Sequence, residues 1–432
     1  MAVHPDNDSI YFSDDTSDDG FHYVANNENS PFRLTRYSRS LIDFVRNEWQ
    51  NSAKYSSSPY NSPSTRPSAR HGIHVAVSLI SAPRFRRYVF VYLILLLSLI
   101  AGWKWVLSPQ LAEHTSLLVS LGPQSKLAAG GWYGTNALPE LENIVRIRSL
   151  NPNLLPRPME NPESRRRLIF IGDVHGCKDE LTELLEKTTF NPSNDHLIFT
   201  GDLITRGPDS LGVVDLARKH SASCVRGNND DQVLILRHSM PGSKDLDEIS
   251  KSPDTKTNSK TNKPLSKTSQ ARNLARQLTD EQAEWLDTCP VILKVGQIPK
   301  MGEVVVVHAG LVPGVEFEKQ DPVSVMNMHS IDLETHVPSA SRKGVKWTKL
   351  FNKDQSLLYS RIKNTVADPL SKMTTVIYGH DSKSGLSIKS YTKGLDSGCV
   401  NGGKLTALVI SDGGKQEYVQ VRCRDYQGSN LR

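Results

Sequence analysis

Between Leu168 and Asp231 the chain repeats one pattern three times: a short apolar run, a glycine, then small polar residues. Leu168-Ile169-Phe170-Ile171 leads into Gly172-Asp173-Val174-His175-Gly176, and Leu197-Ile198-Phe199-Thr200 leads into Gly201-Asp202. Cys224-Val225 leads into Arg226-Gly227-Asn228-Asn229-Asp230. Short apolar runs closed by turn residues predict buried strands. Glycine at a strand end lets the backbone turn tightly, so Asp173, His175, Asp202 and Asn228 are expected to meet in one cleft. Two later apolar runs also end at candidate ligands, Glu303–Val307 at His308-Ala309-Gly310-Leu311 and Thr374–Tyr378 at Gly379-His380. Between the runs, Cys177–Lys187 puts Leu181, Leu184 and Leu185 on one helical face, and Leu211–Arg218 reads as a second helix. A further helix holds Ala283, Trp285 and Leu286, and Leu405–Ile410 and Tyr418–Arg422 read as closing strands. Alternating strands and helices predict an α/β core with a largely parallel sheet and the site at its strand ends.

The pattern is different before residue 166. Residues 1–30 contain no Lys or Arg and seven acidic residues, and the stretch to residue 83 is rich in Ser, Pro, Tyr and Arg. Such a segment buries too little apolar surface to offset its ordering entropy, so 1–83 reads as a disordered tail. Its acidic, Ser/Tyr-rich composition suits contact with sorting machinery, although a plain solvated tail is the simpler reading. Residues 84–107 read as a transmembrane signal anchor: Tyr88–Trp103 is uncharged, and Trp105-Val106-Leu107 extends it past Lys104 to the roughly 20 residues a bilayer requires. Arg84, Arg86 and Arg87 precede the span, against Lys104 near its far end, which predicts a single-pass type II protein with a cytosolic N-terminus. Residues 108–165 read as a stalk with a helix through Leu138–Ile147, residues 166–424 as the folded domain, and 425–432 as a C-terminal tail. Within the domain, 241–270 reads as a flexible insertion nearly devoid of apolar side chains.

Composition alters this picture little. Hydrophobic residues make up 38% of the 432, which agrees with a partly unfolded chain. The net charge of +6 does not imply nucleic acid, because no Lys/Arg cluster is interleaved with aromatic residues. Five cysteines without framework spacing make Cys177 and Cys224 packed thiols rather than disulfide partners.

The chemistry follows from five strand ends. Carboxylate, imidazole and amide together suit first-row divalent metals. Two such cations held close together need a bridging carboxylate, and Asp202, in the middle phrase, is the bridge expected. Asp173 and His175 would complete one set, and Asn228, His308 and His380 the other. Between two cations a water loses its proton near neutral pH and becomes the nucleophile, while the cations neutralise a phosphoryl group in in-line displacement. Arg206 and Arg226 are expected to donate charge-assisted hydrogen bonds to phosphate oxygens. Singly, each residue has a structural explanation, since a lone strand-end His is usually just a satisfied polar group; the five-part combination in this order does not.

The motifs Gly172-Asp-x-His-Gly176, Gly201-Asp-x-x-x-Arg-Gly207, Arg226-Gly-Asn228, His308-Ala-Gly-Leu311 and Gly379-His380 resemble the calcineurin-like metallophosphoesterases of the phosphoprotein-phosphatase superfamily. Cys177-x-Asp-Glu-Leu181 and Leu395–Ala407 resemble the branch of bacterial symmetrical diadenosine-tetraphosphate hydrolases. With a cytosolic tail and one anchor in front, the whole is similar to the vacuolar endopolyphosphatases of fungi. The resemblance covers roughly residues 166–424. It implies an αββα sandwich behind a disordered tail and a single transmembrane helix, two divalent ions (Zn, Mn, Co or Mg), and cleavage of phosphoanhydride bonds within inorganic polyphosphate at the vacuole membrane or lumen.

Three positions depart from the pattern. Protein phosphatases of the superfamily carry an Asp where this chain has Thr205 and a His where it has Asn229, a dyad that protonates the leaving group. Members also tend to carry Arg at the position of His329. A phosphate leaving group departs without the protonation that an alkoxide requires, so the missing dyad disfavours protein Ser/Thr phosphatase activity more than anhydride cleavage. The alternatives are a dinucleoside-polyphosphate hydrolase, a protein phosphatase, or, in another class, a catalytically impaired membrane-tethered binding protein. Asn229 is therefore a catalytic candidate beside the two arginines.

Overall fold

The central strands of the domain are apolar on both faces because each is covered on both sides. The computed structural model describes residues 83–125, 144–156, 166–240 and 267–428. A continuous helical rod opens the described chain: α1 (Pro83–Gly102), a π-helical turn at Trp103–Leu107, and α2 (Ser108–Ser120). The 38 residues are long and apolar enough to cross a membrane. They contain the span expected at 84–107, whose apolar side chains are exposed.

Then come β1 (Ile147–Ser149), β2 (Arg167–Ile171), α3 (Lys178–Lys187), β3 (Asp195–Phe199), α4 (Ser210–Lys219), β4 (Ser223–Cys224) and α5 (Asn228–His238). Next are α6 (Lys267–Gln277), α7 (Asp280–Asp287), β5 (Ile292–Ile298), β6 (Gly302–Val307) and α8 (Pro322–Asn327). A small sheet of β7 (Ser330–Ile331), β8 (Pro338–Ser339) and β9 (Val345–Lys346) precedes α9 (Trp347–Ile362). The chain closes with β10 (Thr374–Tyr378), β11 (Ser387–Ile388), β12 (Thr392–Gly394), β13 (Lys404–Ser411) and β14 (Lys415–Arg422).

Two large sheets face each other, ordered β1-β5-β6-β10-β12-β11 and β14-β13-β2-β3-β4. Alternation along the strands divides the core into three layers. Leu168 and Phe170 of β2 meet Val304 and Val306 of β6 between the sheets. Ile169 and Ile171 face the other way, against Leu181 and Leu184 of α3 and Val213 and Val214 of α4. Val305 and Val307 lie under Val325 of α8 and Trp347 and Leu350 of α9. The architecture is the expected αββα sandwich.

Three expectations need correcting. The core is not one largely parallel sheet but two mixed ones. Around the site β2–β3, β3–β4 and β6–β10 are parallel, whereas β5–β6 and β13–β14 are antiparallel. The connections at 299–301 and 412–414 are too short for a crossover and permit only antiparallel pairing. The region read as a stalk also takes part in the domain where it is described. Ile147 pairs in parallel with Ile292, Leu150 enters the layer between the sheets, and Leu117 of α2 joins the cluster under α8 and α9. Of the helix read at 138–147, residues 138–143 lie outside the described residues and Ile147 is in a strand.

Cys224 is not a packed thiol: it is bonded to Cys289, and Cys399 to Cys423. Cys224 ends β4 and Cys289 lies just ahead of β5, a proximity set by packing across 65 residues of sequence. Cys177 is free and buried, and burial pushes its thiol up to about 12. Residues 1–82, 241–266 and 429–432 lie outside the described set. The remaining four residues of the expected insertion begin α6, whose Ala271 and Ala275 are buried.

Candidate metal centre

Five loops at the strand ends carry the site. Asp173 and His175 follow β2, Asp202 follows β3, Asn228 opens α5 just beyond β4, His308 follows β6, and His380 follows β10. The loops approach closely because glycines leave them room. A Cβ on Gly379 would sit 1.9 Å from Asp173 Oδ1, and one on Gly227 would sit 2.2 Å from the Asp202 amide nitrogen. His175, Asp202 and His380 have φ of 48°, 52° and 66°, the left-handed region that costs non-glycine residues on the order of 1 kcal/mol each. Three ligand candidates in that region mark a backbone held in place by the surrounding fold.

The donor atoms form two triads that share one carboxylate. Asp173, His175 and Asp202 offer atoms within 4.8 Å of one another, and so do Asp202, His308 and His380. Asp202 Oδ2 lies 3.5 Å from His175 Nε2 and 3.4 Å from His308 Nε2. Asn228 Oδ1 is 3.0 Å from His308 Nε2, which adds an amide oxygen to the second triad. The far ring nitrogens are tied to backbone carbonyls: His308 Nδ1 to Thr200 O at 2.8 Å, and His175 Nδ1 to Ile204 O at 3.4 Å. His380 reverses the arrangement, with Nε2 3.2 Å from Asn327 O. Such outer bonds orient imidazoles toward a metal.

The electrostatics fit the same reading. Burial pushes Asp173 well above the usual carboxylate range, reinforced by Asp396 and Asp202. Burial works against Asp202 too, but His308, His175 and the Asn229 N–H hold it far below that range. His308 is held up at about 10 against burial by Asp202, whereas burial lowers His175 to about 4 and His380 to about 3. Without a metal the His308 imidazolium is the one buried cation among Asp173, Asp202 and the two neutral imidazoles, a place that divalent ions would take over on binding. Oxygen and nitrogen donors in two triads joined by a bridging carboxylate fit two first-row divalent cations.

All six expected ligands converge, but the three catalytic candidates separate. Arg206 reaches the cavity: Nη1 is 3.5 Å from His175 Nε2, and Nη2 donates to Asn229 Oδ1 at 3.3 Å. Asn229 donates from Nδ2 to Asp202 Oδ2 at 2.6 Å and from its backbone N–H to Asp202 Oδ1 at 2.9 Å. Arg226 is corrected. It is 2% exposed, its guanidinium bonded to Asp231 at 3.3 Å and Asp287 at 2.7 Å, and it does not line the cavity.

Four residues of consequence escaped the sequence reading. Asp230 is buried and accepts from the backbone N–H groups of Leu203, Ile204 and Gly227, which locks the second and third loops together. Burial pushes Asp396 up to about 6, and it lines the cavity beside Asp173. Arg342 and Lys383 add positive charge to the wall. Asp396 lay within the stretch from Leu395 to Ala407 already singled out. Arg342 had no motif around it. The cavity lined by Asp396, Arg342 and Lys383 has a volume of about 540 Å³.

The comparisons agree with the geometry. The family model for calcineurin-like phosphoesterases matches residues 166–397. The chain is 29% identical over 280 residues to the zinc-dependent endopolyphosphatase of Saccharomyces cerevisiae, covering 60% of this chain and 81% of that one. It is 28% identical over 281 residues to the symmetrical bis(5'-nucleosyl)-tetraphosphatase of Baumannia cicadellinicola, covering 56% and 89%. A crystal structure provisionally assigned as a diadenosine tetraphosphatase is 26% identical, with a TM-score of 0.46, and covers 65% of this chain and 99% of that one. With its paired ligand triads and a model match across more than half its length, the chain belongs to the calcineurin-like phosphoesterase family.

Proposed function

We propose that the domain hydrolyses phosphoanhydride bonds in inorganic polyphosphate and uses two divalent cations, zinc among the candidates. Asp173 and His175 would hold one ion, Asn228, His308 and His380 the other, and Asp202 both. When bound, the ions supply Lewis-acid charge neutralisation and a water acidic enough to ionise near neutral pH. Arg206 places a guanidinium at the cavity wall, where it donates to phosphoryl oxygens and stabilises the charge developing on them.

The observation that carries the choice of bond is Asn229. Its amide bonds both Asp202 and Arg206. An amide is not an acid in water, so Asn229 cannot protonate the leaving oxygen as the histidine of the dyad would. A terminal or internal phosphate does so readily; an alkoxide does not. The yeast relative's name supports polyphosphate. Hydrolysis of dinucleoside polyphosphates, the reaction named for the bacterial relatives, is the second reading and breaks the same class of bond.

The domain's setting belongs to the same proposal. The charge asymmetry about α1 supports a cytosolic N-terminus. Two disulfides in the domain favour an oxidising compartment for it. The vacuole is the compartment that resemblance to the fungal endopolyphosphatases supports.

The test uses purified full-length protein in detergent, with long-chain polyphosphate, diadenosine tetraphosphate and a phosphopeptide as substrates and metals added singly. Polyphosphate shortening by the wild type and not by Asp202→Asn is expected. Phosphopeptide turnover at a comparable rate overturns the leaving-group argument. A protein that binds metal and turns over none of the three is a binding module instead.

A further inference from the structure

One wall of the cleft continues into a row of cations that the hydrolytic chemistry does not use. Arg342, in the turn between β8 and β9, and Lys383, in the loop after β10, line the cavity itself. Lys346 Nζ donates to Ser384 Oγ at 2.7 Å, which sets it beside Lys383. Lys389 Nζ donates to Thr348 Oγ1 at 3.1 Å, between Lys346 and Lys349 in sequence. Burial, with repulsion from Lys346 and Lys349, holds the Lys389 ammonium below its ordinary value. The charges therefore run neighbour to neighbour from the cleft: Arg342, Lys383, Lys346, Lys389, Lys349.

Few carboxylates answer them. Asp381 pairs with Arg342, and Glu113 of α2 with Lys349. Among the described residues the lysines in ion pairs are Lys178, Lys294, Lys319 and Lys349, so Lys346, Lys383 and Lys389 have no such partner. The row also crosses the start of α9, whose first turn holds no acidic residue. Helix N-termini favour anions, and lysines there are unfavourable for the isolated fold. Like charges packed together at the wrong end of a helix lower the stability of the free protein and raise its attraction for a polyanion.

We propose that this row is a binding track for the part of a polyphosphate chain that lies outside the scissile bond, and that it makes the enzyme prefer long chains. The inference rests on the polyphosphate reading of the active site. A linear polyanion fits better than an anionic lipid surface, because the row starts inside the wall of the metal cleft, where a substrate must enter.

The experiment substitutes Lys346→Gln, Lys349→Gln and Lys389→Gln together in the full-length protein and leaves Arg342 and every ligand intact. Equilibrium binding of long-chain polyphosphate is measured by fluorescence anisotropy without metal, and KM for long-chain polyphosphate and for tripolyphosphate is measured with metal. The expected result is weaker long-chain binding and a KM raised about tenfold or more, with tripolyphosphate kinetics unchanged. The slope of log affinity against log salt concentration should fall by about two to three, since each phosphate-contacting cation contributes about one. A triple Lys→Arg variant should retain wild-type values. Equal long-chain binding by wild type and variant overturns the track, as does an equal loss on tripolyphosphate. So does a variant that loses only its binding to phosphatidylserine vesicles. If the wild type hydrolyses diadenosine tetraphosphate but not polyphosphate, the functional reading fails, while the binding measurement still decides the track.

Discussion

Asn229 and Arg226 stand three residues apart and have opposite roles. Asn229 is at the centre of the site, where its Nδ2 contacts the shared carboxylate at 2.6 Å and its Oδ1 accepts from Arg206. Replacing it by Asn229→His puts a titratable proton where the leaving oxygen departs. The expected outcome is a larger relative gain in kcat on an alkyl phosphate ester than on polyphosphate, and the reverse order would falsify the leaving-group account. Arg226 is buried between Asp231 and Asp287, and its Nε is left without a partner. Arg226→Met should therefore cost roughly 3 kcal/mol by leaving Asp231 uncompensated and Asp287 with His238 alone, with kcat/KM of the folded protein preserved. Arg206→Gln should do the opposite: a loss on the order of a hundredfold in kcat/KM, as for removal of a charge-stabilising donor, with the thermal midpoint unchanged. Activity and unfolding measured on both variants check the assignment. A catalytic collapse in Arg226→Met with normal stability would return that residue to the site.

At the level of elements, the contrast between what sequence shows and what it hides has a physical basis. The candidate ligands were legible because each lies within a few residues of a strand end, all but His308 after a glycine. The role of Arg226 was not, because its partner Asp287 lies 61 residues away at the end of α7. Arg342 was missed for the same reason, since only the folding of the small β7–β9 sheet carries it to the cleft. The single, largely parallel sheet was a wrong extrapolation from β2, β3 and β4, which are indeed parallel; β13, of the hairpin with β14, then pairs antiparallel to β2. Cys224 was misread because only the juxtaposition of β4 with the residues before β5 brings Cys289 to it. That link has a measurable consequence. Arg226 N–H donates to Pro290 O at 2.9 Å beside the disulfide, so the bridge fastens the Asn228 loop to the entry of the second sheet. Chain entropy over a 65-residue separation gives a stabilisation of about 4 kcal/mol. Denaturant unfolding of a Cys224→Ala, Cys289→Ala variant should show a loss approaching that size. It should exceed the loss from removing Cys399–Cys423, whose separation is 24. Equal losses, or none, would mean the unfolded chain is not confined as this model requires.

For the whole molecule the open question is which side of a membrane the domain occupies, since that decides the substrate pool it meets. The basic residues Arg84, Arg86 and Arg87 at the start of the apolar helix argue for a cytosolic tail. The two disulfides argue independently for an oxidising location of the domain. The chain offers a direct test because the natural pattern is silent: its sole Asn-x-Ser/Thr site is Asn7, in the tail, and none follows the helix. Asn364 and Thr365 are exposed just beyond α9, and Val366→Thr completes an acceptor there, away from the ligands. In a secretory-competent cell the variant should gain an endoglycosidase-sensitive mass increment, while the wild type, with Asn7 on the other side, shows none. Modification of the wild type at Asn7 with an unmodified variant domain would reverse the orientation. It would also place the lysine row and the metal cleft in the cytosol, where nucleotide anhydrides compete with polyphosphate for the site.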